Sequence, residues 1–276
     1  MSIALISLSA EGLSIARRLA PHFSDAEIYV HESVAEAPEV RRFTKVADLT
    51  REVFGRCRGL VYIMPSGVVV RAIAPLVEHK LKDPAVVVID VLGRWAISLL
   101  CGHEGGANPL TLRIANLLEA EPVITTTSEA AKDLIVGVGC RRGTPAETII
   151  AAITEALALV GHRPQEVRLL ASADLKADET GLLQAAEQLA IPLRLIAGAE
   201  IRACGRLFAH STFVEDKVAL PAVAEPVALL AGRRTQLILP KTIIKSVTVA
   251  IARENCSWSA SDPATASTAP AAPSRS

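Results

Sequence analysis

The chain has 276 residues, which at roughly 150 residues per domain points to about two domains. Lys plus Arg and Asp plus Glu each number 29, so the formal net charge is zero, and only 3% of residues are aromatic. That balance argues against a nucleic-acid binder, which carries a basic excess and base-stacking aromatics, and a hydrophobic content of 50% excludes a wholly disordered chain.

The predicted elements run strand, turn, helix, repeated. A β-type run over 3–8 leads to Ser9, which caps a helix over 10–22. Strands follow at 27–31 and 60–64, with a short helix over 48–57 between them. Pro65-Ser66-Gly67 is a turn, and 68–80 is a helix. The run 86–90 has almost no alternation, as expected of a strand covered on both faces. Trp95 to Leu100 is a strand, 102–108 a loop, and 109–118 a helix with Asn108 as cap and Pro109 at its first position. A strand over 123–126 closes the first unit, and the boundary falls within 128–132. The second unit has strands at 134–138, 167–171, 193–196, 237–239 and 247–251. Thr144-Pro145-Ala146-Glu147 predicts a capping box for a helix that stops at Gly161. Further helices are expected over 181–189 and 222–230, the latter shortened by Pro226. Ala, Ser, Pro and Thr supply 17 of the 22 residues from Asn255 to Ser276, so this tail, Trp258 included, is expected to be disordered. The fold class is α/β: two α/β domains, 1–130 and 131–254, with largely parallel or mixed sheets.

Cys57, Cys101, Cys140, Cys204 and Cys256 are odd in number and form no CxxC pair. They predict free thiols in a reducing cytoplasm and no structural zinc or other metal site. The N-terminus lacks the features of a signal peptide, and no uninterrupted apolar run reaches the roughly 18 residues that a membrane span needs.

Three places could carry chemistry. The loop from Cys101 to Asn108 joins a strand to a helix, where open α/β sheets bind ligands. Gly102, Gly105 and Gly106 allow close backbone approach, and His103 can serve as a general base near neutral pH. Asp90, at the end of the preceding strand, is expected at the same rim. The plainer reading is a tight turn with a solvated histidine. His103-Glu104 is not a zincin motif, because position 107 is alanine. The second place is Ser66, Gly67 and Arg71, a helix start with a guanidinium that suits a carboxylate, or else only a cap and a surface arginine. The third is Gly137-Val138-Gly139-Cys140-Arg141-Arg142-Gly143. Its GxGxxxG spacing departs from the dinucleotide fingerprint, but backbone N–H groups, a helix start and two arginines converge there on one anion-binding spot. That setting would favour a Cys140 thiolate. Glu225 suits the first turn of its helix.

At these residues the sequence resembles the CbiG family, the cobalt-precorrin-5A hydrolases of anaerobic cobalamin biosynthesis. The resemblance covers about residues 1–254. In the first half it is carried by Pro65-Ser66-Gly67, Arg71 to Pro75, Lys80 to Val86, Ser98-Leu99-Leu100-Cys101-Gly102-His103-Glu104-Gly105-Gly106-Ala107-Asn108 and Val123 to Thr126. In the second it is carried by Gly137 to Thr144 and Val223-Ala224-Glu225-Pro226-Val227-Ala228-Leu229. The C-terminal half is also similar to the CobE protein of the aerobic pathway. Only Thr127 to Leu134 stands where many family members carry a middle segment. Val91 stands where the family has an acidic residue, and Lys217 to Pro221 replaces a glycine-rich stretch.

The resemblance implies a cobalt-bearing macrocycle as substrate, bound in a cleft between the two units. A ring-A δ-lactone is opened and C20 leaves with its methyl group as acetaldehyde. No separate cofactor is needed, since the cobalt arrives with the substrate. It implies catalytic roles for His103 and Asp90. It also implies substrate contacts from Ser66, Gly67, Arg71, Gly102, Gly105, Gly106, Asn108, Gly139, Cys140, Arg141, Arg142, Gly143, Thr144 and Glu225. Neighbouring pathway methyltransferases and a second copy of the chain are further candidate partners; nucleic acid and membrane are not expected. Two alternatives stay open: a non-catalytic corrinoid carrier, and a nucleotide-binding oxidoreductase resting on the imperfect glycine spacing alone.

Overall fold

The computed structural model describes residues 2–35, 38–205 and 223–255. Expectations for the tail from 256 on, Trp258 included, for Lys217 to Pro221, and for the thiols of Cys204 and Cys256 lie outside the described residues.

The first sheet has the order β3-β2-β1-β4-β5-β6-β7. Its strands are β1 (Ser2–Ser7), β2 (Asp25–His31), β3 (Arg41–Phe43), β4 (Gly59–Ile63), β5 (Ala85–Ile89), β6 (Trp95–Leu100) and β7 (Glu121–Val123). The helices are α1 (Ala10–Leu19), α2 (Val46–Phe54), α3 (Ser66–Ile73) and α4 (Ala107–Leu118). Every residue of β4 and β5 is buried, and the two-residue period of a strand divides them between two cores. Val61, Ile63, Val87 and Ile89 pack with Ala16, Leu19, Ile114 and Ala115 of α1 and α4. Leu60, Tyr62, Val86 and Val88 pack on the other face with Val53 of α2 and Val69 and Ile73 of α3.

All neighbours in this sheet are parallel except β5 and β6. Asp90 causes that reversal. Its Oδ1 accepts the N–H groups of Arg94 at 2.7 Å and Trp95 at 2.9 Å, and its Oδ2 accepts Arg94 Nε–H at 2.9 Å. Gly93 takes φ +68 in the same turn, which only glycine adopts freely. Ile89 therefore pairs with Ala96, and Val86 with Leu100.

The second sheet has the order β10-β9-β8-β12-β11. It comprises β8 (Leu134–Gly139), β9 (Val167–Ala173), β10 (Leu193–Ile196), β11 (Thr235–Ile244) and β12 (Val247–Glu254). β8, β9 and β10 are parallel, and β12 is antiparallel to both its neighbours. α6 (Ala146–Leu159) and α7 (Thr180–Leu189) cover one face. α8 (Gly198–Gly205) and α9 (Ala224–Leu230) cover the other. Pro226 is tolerated because it falls in the first turn of α9.

The units meet through α4. Leu112 joins the second sheet's core with Ile135, Leu169 and Ala171. Asn116 donates to Leu193 O at 2.8 Å and accepts Leu195 N–H at 3.0 Å, so one amide satisfies the exposed edge of β10. Buried Arg194 donates to Ala120 O at 2.7 Å. The chain crosses between the sheets through a single helical turn, α5 (Thr127–Ala130).

Several expected boundaries move. α3 ends at Ile73 rather than at position 80, since Pro75 has no N–H to continue the helical hydrogen bonds. α4 begins at Ala107, two residues early, with Gly106 as its cap and Asn108 inside it. β7 stops at Val123, whereas β11 and β12 run further than expected. β3, α5 and α8 were not expected from the sequence.

Candidate functional site

The loop between β6 and α4 is built tightly. Cys101 takes φ +56 and Gly106 φ +84. The first helical N–H groups are already used, Ala107 N donating to Cys101 O at 3.1 Å and Asn108 N to Gly102 O at 2.9 Å. Asn108 is buried and bridges two segments: its Oδ1 accepts Ser98 Oγ–H and its Nδ2 donates to Thr126 Oγ1, both at 2.8 Å. It is a brace for the loop rather than a cap. A side chain at Gly102 would stand 2.6 Å from Asn108 Oδ1 and 2.7 Å from Thr126 Cγ2. At Gly105 it would stand 2.4 Å from Cys101 Cβ. These two glycines are there because the backbone passes so close to its neighbours.

That compact frame turns His103 outward. The imidazole is exposed and makes no hydrogen bond to any described residue. Its neighbour Glu104 is tied to Lys80, an ion pair that holds the Glu104 carboxyl below its ordinary pKa. Gly102 and His103 line a cleft of about 1090 Å³ between the two units, together with Pro109, Leu112 and Ile124. The facing wall is the start of β8 and β9, the end of β12, and the α7–β10 turn. It carries Lys132, Asp133, Arg168, Glu187, Pro192, Arg253 and Glu254. Sequence reasoning missed these residues. As isolated charges at strand ends they look like solvated surface, and only the antiparallel register, Arg253 opposite Leu134, gathers them. The linker that includes α5 lines the cleft as well.

Apart from Glu187, the charges of this wall are paired. Lys132 lies 3.7 Å from Glu129, and Arg253 Nε lies 3.2 Å from Asp133. Arg253 also donates to His162 Nε2 at 2.8 Å. Arg168 is ion-paired with Glu254, whose other oxygen accepts Arg233 N–H at 2.7 Å.

The other expected site residues stand elsewhere. Asp90 does not share a rim with His103. Because β6 runs antiparallel to β5, the His103 loop lies at the start of β5 and Asp90 at its end. Partial burial pushes the Asp90 carboxyl up, but the bonds from Trp95 and Arg94 outweigh it and hold the pKa below the ordinary aspartate value. Ser66, Gly67 and Arg71 follow β4, so they lie on Asp90's side of the sheet. Ser66 makes no cap hydrogen bond, and Arg71 Nη1 donates back to Gly67 O at 2.9 Å. Arg71 and His103 therefore cannot clamp one end of a ligand together.

The loop after β8 is the third group. It lies at the opposite end of β8 from the cleft, a separation of about 17 Å for a strand of this length. Its anion seat is filled from within: buried Glu179 accepts Gly143 N–H on Oε1 at 2.8 Å, with Lys176 3.5 Å from Oε2. Arg142 is tied to Asp178 at 2.9 Å, and Arg141 is exposed. The expected capping box is absent. Thr144 Oγ1 donates to Arg141 O at 2.7 Å, and α6 starts at Ala146 without a side-chain cap. Burial pushes the Cys140 thiol up, against the expected thiolate, and the nearby Lys176 does not reverse it. Gly139 ends β8, paired with Thr248. Glu225, in the first turn of α9, accepts Lys241 N–H at 2.6 Å and braces α9 to β11.

Among the described residues, no three His, Cys, Asp or Glu side chains are grouped so as to hold a metal ion. No helix there is long and apolar enough to cross a membrane. Cys57, Cys101 and Cys140 are unpaired.

Comparison with known proteins covers both units. Residues 48–129 match the family described as Cobalamin synthesis G N-terminal, and residues 134–252 match Cobalamin synthesis G C-terminus. A cobalt-precorrin-5A hydrolase of Salmonella typhimurium is 26% identical over 324 residues, covering 84% of this chain and 92% of the relative. That alignment is longer than this chain, so the relative carries residues with no counterpart here. A cobalt-precorrin-5A hydrolase of Priestia megaterium is 39% identical over 144 residues, which is 50% of this chain and 38% of the relative. Protein CobE of Sinorhizobium sp. is 39% identical over 128 residues, covering 46% of this chain and 83% of that protein.

Proposed function

We propose that this chain, which belongs to the cobalamin synthesis G family, is a cobalt-precorrin-5A hydrolase that opens the ring-A δ-lactone and releases acetaldehyde. The observation that carries this reading is the inter-unit cleft of about 1090 Å³ with His103 at its wall, in a chain matched in both units to a family with named hydrolase relatives. Ligand pockets run from about 300 to 1,000 Å³, and this cleft is at the upper end, as a tetrapyrrole requires.

In this reading His103 takes a proton from water as the oxygen adds to the lactone carbonyl. Collapse of the tetrahedral adduct breaks the bond from the carbonyl carbon to the ring oxygen. It leaves the ring-A acetate as a carboxylate and a hydroxyl on C20. Loss of that hydroxyl proton forms the aldehyde carbonyl as the bond from C20 to the macrocycle breaks. The bonding electron pair stays on the macrocycle carbon and is then protonated. Cobalt enters as part of the substrate. The unpaired cysteines suit a reducing cytoplasm.

The test is anaerobic incubation of the purified protein with cobalt-precorrin-5A, following acetaldehyde and product mass. Many turnovers per protein support the hydrolase. Tight binding with no acceleration overturns it in favour of a corrinoid carrier. The oxidoreductase alternative loses its footing, because the Gly143 N–H that a dinucleotide phosphate would use is held by Glu179.

A further inference from the structure

The arginines that line the cleft carry more donors than the described residues satisfy. Glu254 is spent, with Oε1 on Arg233 N–H and Oε2 on Arg168. Arg168 is not. A guanidinium carries five N–H donors, and among the described residues only its Nη2 has an acceptor partner, while Nε is buried without one. Arg253, next to it in the cleft, uses Nε on Asp133 and Nη2 on His162 and keeps further donors. A cleft whose two neighbouring arginines hold spare donors matches a ligand that brings acceptors.

We infer that Arg168 is the anchor for a peripheral carboxylate of the bound macrocycle, gripping it through Nη1 while Glu254 holds the guanidinium in place through Nη2. Arg253 is the second donor for the same edge of the ligand. Two guanidinium groups on one edge of the ligand supply orientation as well as attraction. It sets the macrocycle with one acidic edge on the second sheet and leaves its opposite side toward His103. This deepens the hydrolase reading and rests on the same cleft.

The experiment reads binding separately from turnover. The full chain is titrated with cobyrinic acid, a free-acid corrinoid, and with its fully methylated ester, each followed by its visible spectrum. R168Q is expected to weaken the free acid by about ten- to a hundredfold, the worth of a charge-assisted hydrogen bond, and to leave the weaker ester affinity unchanged. Raised salt weakens the free acid on the unaltered protein and has little effect on R168Q. If R168Q fails to fold, because Glu254 is left buried without its cation, the R168Q/E254Q pair removes both charges and is read by the same criteria. Unchanged free-acid affinity in a folded variant overturns the inference, as does a free acid that the unaltered protein does not bind. A protein that binds the free acid through Arg168 but releases no acetaldehyde from cobalt-precorrin-5A keeps the anchor and loses the hydrolase.

Discussion

Two glycine-bearing loops, each leading from a strand to a helix, carry the most suggestive residues, and the structure treats them in opposite ways. In the loop after β6, Asn108 and the tight passages at Gly102 and Gly105 use up the internal contacts and leave the His103 ring exposed in a large cleft. In the loop after β8, the backbone N–H of Gly143 faces inward and is answered by the protein's own carboxylate, Glu179. Both join a strand to a helix through glycines, yet one faces a ligand-sized space and the other has supplied its own ligand. A glycine-rich turn thus shows where the backbone is accessible, and the element packed against it decides whether a ligand can use that access.

The difference is open to attack, most strongly through the histidine. Replacing His103 with Ala should lower acetaldehyde release by about 10²- to 10⁴-fold, the usual share of a general base, with corrinoid binding retained. Replacing Cys140 with Ser should leave turnover unchanged. Equal losses in both variants would put the two loops on the same footing.

The second attack empties the filled seat. Glu179→Ala should cost about 1–3 kcal/mol in urea unfolding, because Gly143 N–H loses its buried acceptor. Added sulfate should recover part of that stability in the variant and none in the unaltered protein. Sulfate without effect on the variant would mean that the loop has no intrinsic affinity for anions.

Gly102→Ala tests the braced loop. The new methyl meets Asn108 Oδ1 and Thr126 Cγ2, both well inside contact distance. About 1–3 kcal/mol of destabilisation is expected from such overpacking, with loss of turnover as His103 shifts. Retained stability and turnover would show that the loop gives way more easily than its contacts indicate.

The smallest effect belongs to Asp90. Its folded-state pKa is depressed, so the native state binds fewer protons than the unfolded chain. Its contribution is present above the unfolded value of about 3.9 and is lost as pH falls through the lower folded value. Asp90→Asn should flatten the acid end of the stability curve and leave turnover intact, since the residue stands across the sheet from His103. A turnover loss comparable to that of His103→Ala would return Asp90 to the site.

Much of this architecture is written locally. The unbroken apolar runs of β4 and β5 state that both faces are covered, and the breaks at Pro75 and Gly161 mark where helices cannot continue. The motif from Ser98 to Asn108 identified the loop that lines the cleft. One further signal was present and underused. Only residues 90–94 separate β5 from β6, too few for a parallel crossover, and Asp90 with Gly93 forms a tight turn. Reading that hairpin would have moved Asp90 away from His103.

The sequence by itself determined the alternation of strands and helices, the two-sided burial of the central strands and the family, because these depend on residue types at short spacing. Only the tertiary structure decided which residues share a site. It set His103 opposite Arg168 and Arg253, left Arg71 on the far rim, and placed Glu179 in the seat beside Gly143. Such neighbours are fixed by strand direction and by contacts between residues far apart in the chain, where hydrophobic periodicity carries no information.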